Sequence, residues 1–197
     1  VHDDWTIGGY RQRIVESLYN GMLNDRFAEI SRQPNPPFLR ASSGQGRLIR
    51  SKAVYALTAG VLENGIERRI EALFIEAERV ARFGFTTSEL DREKTNVMRG
   101  LERAYINREN RNSGSYASEY IRAFLDGESI PGIEYEFELY KRFVPEITLD
   151  EVNRIGQDWI HDNNRIVLVA GPEKEGLTMP GDEDLMAVLE AGTNAEI

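Results

Sequence analysis

Two histidines and no cysteine are all the nitrogen and sulfur ligands that this 197-residue chain could offer a transition metal. His2 stands beside Asp3 and Asp4, a trio that could grip a cation weakly, although a frayed terminus explains the same residues. His161 lies in "WIHDNNR", just past a helical pattern, where an imidazolium suits the negative end of the helix dipole. No second donor stands at helical or strand spacing from it. Serine chemistry fares no better: there is no G-x-S-x-G elbow and no third group placed to orient a base. Carboxylates are abundant, but most alternate with arginines on polar helix faces, the pattern of solvated i, i+4 pairs. The glycine-rich "SSGQG" could cradle a phosphate if it joined a strand to a helix. It leads into a strand instead, so a turn is expected. These residues predict no catalytic group and no metal site within the chain.

Composition narrows the partners. With 41% hydrophobic and 29% charged residues the chain has the makeup of an ordinary globular protein. Its formal net charge of -9 repels phosphate backbones, and no basic cluster stands free of acids, so nucleic acid is excluded as an expected partner. No apolar run approaches the ~20 residues of a membrane span, so membrane insertion is not expected. The sequence opens without a signal-peptide pattern and without an initiating Met, which suggests an excised piece and leaves the compartment open.

Periodicity supplies the elements that would position any site. In "YRQRIVESLYNGMLNDRFAEISRQ", Val15, Leu18, Tyr19, Met22, Leu23, Phe27 and Ile30 form a continuous stripe on a 3.6-residue period. The prolines of "QPNPPF" end that helix. From Phe38 to Leu57 the period becomes two, with Ile49, Ser51, Ala53, Tyr55 and Leu57 on the face expected to be buried. "SSGQG" is expected to turn the chain between the two strands. A second helix carries Ile66, Ile70, Leu73, Phe74, Ala77 and Val80. It stops at Gly84, expected to be left-handed, and the next helix starts with the T-x-x-E capping box of Thr86 and Glu89. Leu90, Val97, Met98, Leu101 and Tyr105 are its stripe. Two shorter helices follow in "YASEYIRAFL" and "IEYEFELYKRF". Another capping box, Thr148 with Glu151, opens a helix containing Val152, Ile155, Trp159 and Ile160. "NRIVLVAG" then closes the domain as a buried, β-branched strand.

The order predicts an α+β fold, an antiparallel sheet with long helices layered on one face. Its strands are expected at 38–43, 48–59 and 165–170. Residues 1–172 would form one domain, and residues 173–197, rich in Pro, Gly and acid, a linker containing a short helix.

Taken in order, "LYNGMLNDRFAEISRQPNPPFLRASSGQG", "ALFIEAERVARFGFTTSELDREKTNVMRGLERAYINR" and "SIPGIEYEFELYKRFVPEITLDEVNRIGQDWIHDNNRIVLVAGPE" resemble the pitrilysin and insulinase family of zinc metallopeptidases, especially its bacterial periplasmic branch. Members of that family are clamshells of repeated α+β domains, with zinc held by an inverted H-x-x-E-H helix in the first domain. Two His at i, i+4 share a helix face and can hold one zinc, while the Glu activates its water. This sequence contains no H-x-x-E-H, so the resemblance is to the family's non-catalytic second domain.

The resemblance implies a piece of a zinc-dependent endopeptidase, inactive alone, whose zinc sits in another domain of the same protein. It implies peptide substrates, the other domains as partners, and a periplasmic location. In insulin-degrading relatives a strand of the second domain anchors the substrate by adding it to a sheet edge. The matching stretch here is Ala41, Ser42, Ser43, Gly44 and Gln45, whose small side chains would let a second backbone approach. The alternative is a structural or interaction domain of a catalytically inert family member, as in the core subunits of respiratory complexes. Family domains of this kind open with strands before their first long helix. The sheet is therefore expected to lack its first strand and to expose an edge through which the chain self-associates.

Overall fold

The structure, a computed structural model, describes residues 6–49, 52–60, 65–161, 163–176 and 178–194. The fold is α+β: seven α-helices and a two-stranded sheet among these residues, in the order α1 (Ile7–Ser31), β1 (Arg40–Ile49), β2 (Lys52–Gly60), α2 (Ile66–Phe83), α3 (Thr87–Ile106), α4 (Ser113–Asp126), α5 (Ile133–Glu146), α6 (Leu149–Trp159) and α7 (Asp182–Asn194). Only two residues separate β1 from β2, a connection that can return the chain only antiparallel. His2 lies outside the described residues, as does Ser51. No helix among the described residues is long and apolar enough to cross a membrane.

Contacts divide the chain into two compact units. The first comprises Val1–Met22, Gln45–Tyr55 and Phe85–Val152; the second comprises Leu23–Gly44, Ala56–Gly84 and Asn153–Ile197.

In the first unit the α1 stripe is buried as its spacing requires: Ile14, Val15, Leu18, Tyr19 and Met22 are closed off from solvent, with Phe85, Leu139, Phe143, Val144 and Val152. The Tyr19 ring meets Phe85 edge-on at 5.6 Å and Tyr55 at 6.2 Å, a favoured aromatic geometry. Helix α3 packs on α5, with Tyr105 stacked on Phe137 at 4.8 Å. Of the predicted α3 stripe Leu90 is buried and Val97, Met98, Leu101 and Tyr105 are half-buried. Lys94 Nζ donates to the Ile147 carbonyl at 2.6 Å, placing a cation on a carbonyl just beyond the α5 C-terminus, where the dipole favours it.

Both capping boxes form. The Thr86 amide donates to Glu89 Oε2 at 2.7 Å while its hydroxyl accepts from the Glu89 amide. Thr148 and Glu151 repeat the arrangement at 2.8 and 3.3 Å, and Arg11 Nη1 adds an ion pair to Glu151 Oε1 at 2.7 Å. That ion pair, with the donors of Thr148, holds the Glu151 carboxyl at about 2, below the ~4.3 of a free side chain. Its contribution to stability is therefore complete above the unfolded value and disappears as pH falls through about 2. Glu151→Gln should cost about 1 kcal/mol at neutral pH, allowing for the partial exposure of the pair. Urea titrations should show the gap between the two proteins constant above pH ~5 and closing below pH ~4. A gap that does not change with pH would remove the ion pair from the explanation.

In the second unit Phe27 and Phe38, both fully buried, meet edge-on at 5.9 Å. Leu73, Ala77 and Val80 bury the inner side of α2, and α7 packs on that helix. A Cβ added to Gly192 of α7 would stand 3.1 Å from the Phe74 Cβ, so this glycine permits the close approach.

Three expectations need correction. Gly44 and Gly46 do not form a turn: β1 runs through both, and β2 begins at Lys52. Neighbouring side chains described below hold the glycine-rich stretch extended. Residues 165–170 form no strand; Ile166 and Leu168 are 89% and 86% exposed. A β-branched run reports propensity, but a strand needs a partner for its ladder. Gly84 does have the positive φ expected of it, 72°, but its ψ of -171° lies outside the left-handed helical region. The period of two in β2 does hold between Tyr55 and Ala59, with Tyr55, Leu57 and Ala59 half-buried and Ala56 and Thr58 exposed, whereas Ala53 is exposed.

Candidate functional site

The five residues singled out for peptide anchoring all lie on β1. In the second unit, Ala41 and Gly44 are half-buried, Ser42 is exposed and Ser43 is buried. Ser42 Oγ lies 3.4 Å from Thr58 Oγ1, a cross-strand hydroxyl pair. Ser43 is held by both of its backbone groups. Its amide donates to Asn24 Oδ1 at 2.6 Å, and its carbonyl accepts from Asn24 Nδ2 at 3.1 Å.

This two-way bond fixes the direction of the strand's polar groups. In an antiparallel ladder a residue's N–H and C=O point to the same side, and the sides alternate along the strand. Asn24 belongs to α1, not to β2, so the Ser43 groups face away from β2, along the other edge of β1. In the first unit, Gln45 Nε2 donates to Glu16 Oε2 at 2.6 Å. Glu16 is buried, and Gln12 Nε2 donates to its Oε1 at 3.3 Å. Asn24 and Glu16 thus hold extended the stretch whose glycines had suggested a turn.

Asn24 was not among the residues that sequence reasoning marked. A signal existed: asparagine is a poor residue for a helix interior, and Asn24 adjoins the buried Leu23. An uncapped polar side chain beside a buried stripe needs a partner, but nothing local says which backbone supplies it.

Elsewhere the chemistry is structural. His161 is exposed, and its carbonyl accepts from Arg165 Nε. Among the described residues no three His, Cys, Asp or Glu side chains are grouped to hold a metal. Burial raises the Glu136 carboxyl above its ordinary range, against the pull of a hydrogen bond from Tyr10. Burial likewise raises the Tyr10 and Tyr140 hydroxyls, and the charge of Glu136 adds to this. The two rings meet edge-on at 6.2 Å. An open cleft of about 430 Å³ in the first unit is floored by Met98, Phe137, Val144 and Pro145, and does not include this cluster.

No family model matches the chain. It is 31% identical over 157 residues to "Zinc protease PQQL-like" of Arabidopsis thaliana, a match that covers 80% of this chain and 14% of the relative. Its fold superposes on the first half of the periplasmic protease PqqL from Escherichia coli with a TM-score of 0.76 at 14% identity, covering 98% of this chain and 42% of that one. A predicted insulinase family protease from Yersinia pestis superposes with a TM-score of 0.75 at 14% identity, over 98% of this chain and 41% of the other. The chain belongs to the pitrilysin and insulinase family of zinc proteases. It spans about a seventh of the curated relative's length. In those structures the corresponding region is one part of a larger, multidomain protease.

Proposed function

We propose that this chain is a non-catalytic domain of a zinc metallopeptidase, forming part of the substrate chamber and anchoring an extended peptide along the outer edge of β1 at Ala41–Gln45. The zinc and the residues that activate its water belong to another domain of the same protein, and that protein works in the periplasm. The observation that carries the reading is a zinc-protease relative at 31% identity combined with a sequence that contains no H-x-x-E-H. The anchoring role is supported by the small side chains of Ala41 to Gly44 and by backbone groups that face away from β2.

Sheet addition would work here through main-chain hydrogen bonds, which are indifferent to peptide sequence, while alternate side chains read the peptide. Such a site holds one end of a substrate and leaves cleavage to the zinc domain.

The chain is expected to bind an unstructured peptide without cutting it, and to bind it equally in the presence of a chelator. Hydrogen exchange should slow at residues 41–45 when a casein digest is added. Cleavage abolished by the chelator, with zinc retained through dialysis, would overturn the non-catalytic assignment. Unchanged exchange at 41–45 would leave a structural or interaction domain as the function.

A further inference from the structure

We infer that the open cleft between α3 and α5 is a second peptide-binding site, taking an acidic stretch of substrate that carries an apolar residue among its carboxylates. This rests on the peptide-binding role proposed above, adds the class of peptide, and uses residues of the first unit alone.

The cleft of about 430 Å³ has an apolar floor that includes Met98 and Phe137, both half-buried, and the exposed Pro145. Stacking on Tyr105 at 4.8 Å fixes the Phe137 ring in place. Around the floor stand Lys94, Arg99 and Lys141. An adjoining cleft of about 460 Å³ shares Arg99 and adds Arg103. Among the described residues lining the two clefts, one carboxylate, Glu102, faces these four cations, in a chain whose formal net charge is -9. Charge complementarity therefore selects an acidic occupant.

The cations are not equally ready for one. Lys94 Nζ is held by the carbonyls of Ile147 at 2.6 Å and Pro145 at 3.4 Å, so its charge is already positioned and loses little freedom when an anion arrives. Lys141 bridges Glu138 at 2.7 Å and must exchange that partner. Arg99 is exposed, and among the described residues its guanidinium has no hydrogen-bond or ion-pair partner. An incoming carboxylate meets its planar fork without displacing another group.

An exposed ion pair alone adds little affinity. The floor changes this, because an apolar side chain seated on Met98, Phe137 and Pro145 excludes water beside the carboxylate and strengthens its pairing with Arg99. A phosphate backbone would use the cations and leave the floor uncovered, so the pair of features favours a peptide.

The test uses the whole chain and three fluorescein-labelled peptides, GDDLDDG, GDDSDDG and GKKLKKG, read by anisotropy. The parent should bind GDDLDDG about tenfold more tightly than GKKLKKG and about fivefold more tightly than GDDSDDG. Arg99→Glu should lower affinity for GDDLDDG about tenfold, and Lys141→Glu should lower it too. Arg32→Glu makes the same change of charge at an exposed residue of the second unit and should leave affinity within about twofold. Equal binding by the parent and Arg99→Glu, or equal losses in Arg99→Glu and Arg32→Glu, would overturn the site. Displacement of the peptide by inorganic tripolyphosphate, with GDDLDDG and GDDSDDG bound alike, would replace it with a general anion patch. Should Arg99→Glu fail to fold, unchanged affinity in Lys141→Glu would count against the proposal. Hydrogen exchange at residues 41–45 separates the two readings: if the cleft fails while the casein digest still slows exchange there, the anchoring site stands. A parent chain that binds neither the peptides nor the digest would overturn both.

Discussion

Gly84→Val lowers the stability of the chain by about 3–5 kcal/mol, the largest effect expected of any single substitution at the corner between α2 and α3. Two independent costs add. The backbone at Gly84 has φ 72° and ψ -171°, a region open in practice only to glycine. A Cβ built there would also lie 2.5 Å from Asn153 Nδ2 and 2.6 Å from its Cγ. The position is fixed from both sides: the Gly84 amide donates to the Val80 carbonyl at 2.9 Å, and its own carbonyl accepts from Arg26 Nη2 at 3.3 Å. Relaxing the strain would break one of these bonds. Gly84→Ala already carries the Cβ and should lose most of the same stability. Thr86→Ala, two residues on, removes only a helix cap and should cost about 1 kcal/mol. Urea unfolding of the three variants ranks them; a Gly84→Ala protein as stable as the Thr86→Ala protein would contradict the observed backbone geometry.

Glu76→Ala should cost about 3 kcal/mol, because it removes the carboxylate that two arginines share in a largely closed site. Glu76 is 5% exposed, and its two carboxylate oxygens are divided between Arg26 Nη1 at 3.0 Å and Arg79 Nη1 at 2.9 Å. Arg79 is well exposed and can return to water, but the Arg26 side chain is 18% exposed. Without Glu76, Arg26 keeps its bond to the Gly84 carbonyl at 3.3 Å but loses this counter-charge, while much of the desolvation cost of its own charge stays. Replacing both members by apolar groups, Glu76→Leu with Arg26→Met, should recover most of the loss, since a buried ion pair and a packed hydrophobic pair of similar volume have comparable net stability. The comparison is a double-mutant cycle read by denaturant unfolding. Additive losses in the double variant would mean that the pair contributes nothing as a pair.

What the sequence determined by itself was the local half of this protein. The α1 stripe from Val15 to Phe27 is buried as its period requires, and the T-x-x-E spacings at Thr86 and Thr148 form the capping boxes they predict. The need for glycine at Gly84 was legible too. All of these signals act within four or five residues along the chain, where helical geometry alone brings the groups together. The succession of such elements was enough for family membership. Strand pairing was decided elsewhere. Gly44 and Gly46 carry the local signature of a turn, yet β1 passes through them because Asn24 and Glu16 of α1 hold Ser43 and Gln45. Residues 165–170 have the composition of a strand, yet Ile166 and Leu168 face solvent. A helix completes its hydrogen bonds internally, so its sequence contains its partners; a strand completes them with a segment that may be anywhere in the chain. For that reason the candidate anchoring residues could be named from the sequence, while the side chain that occupies their edge became visible only in the tertiary structure.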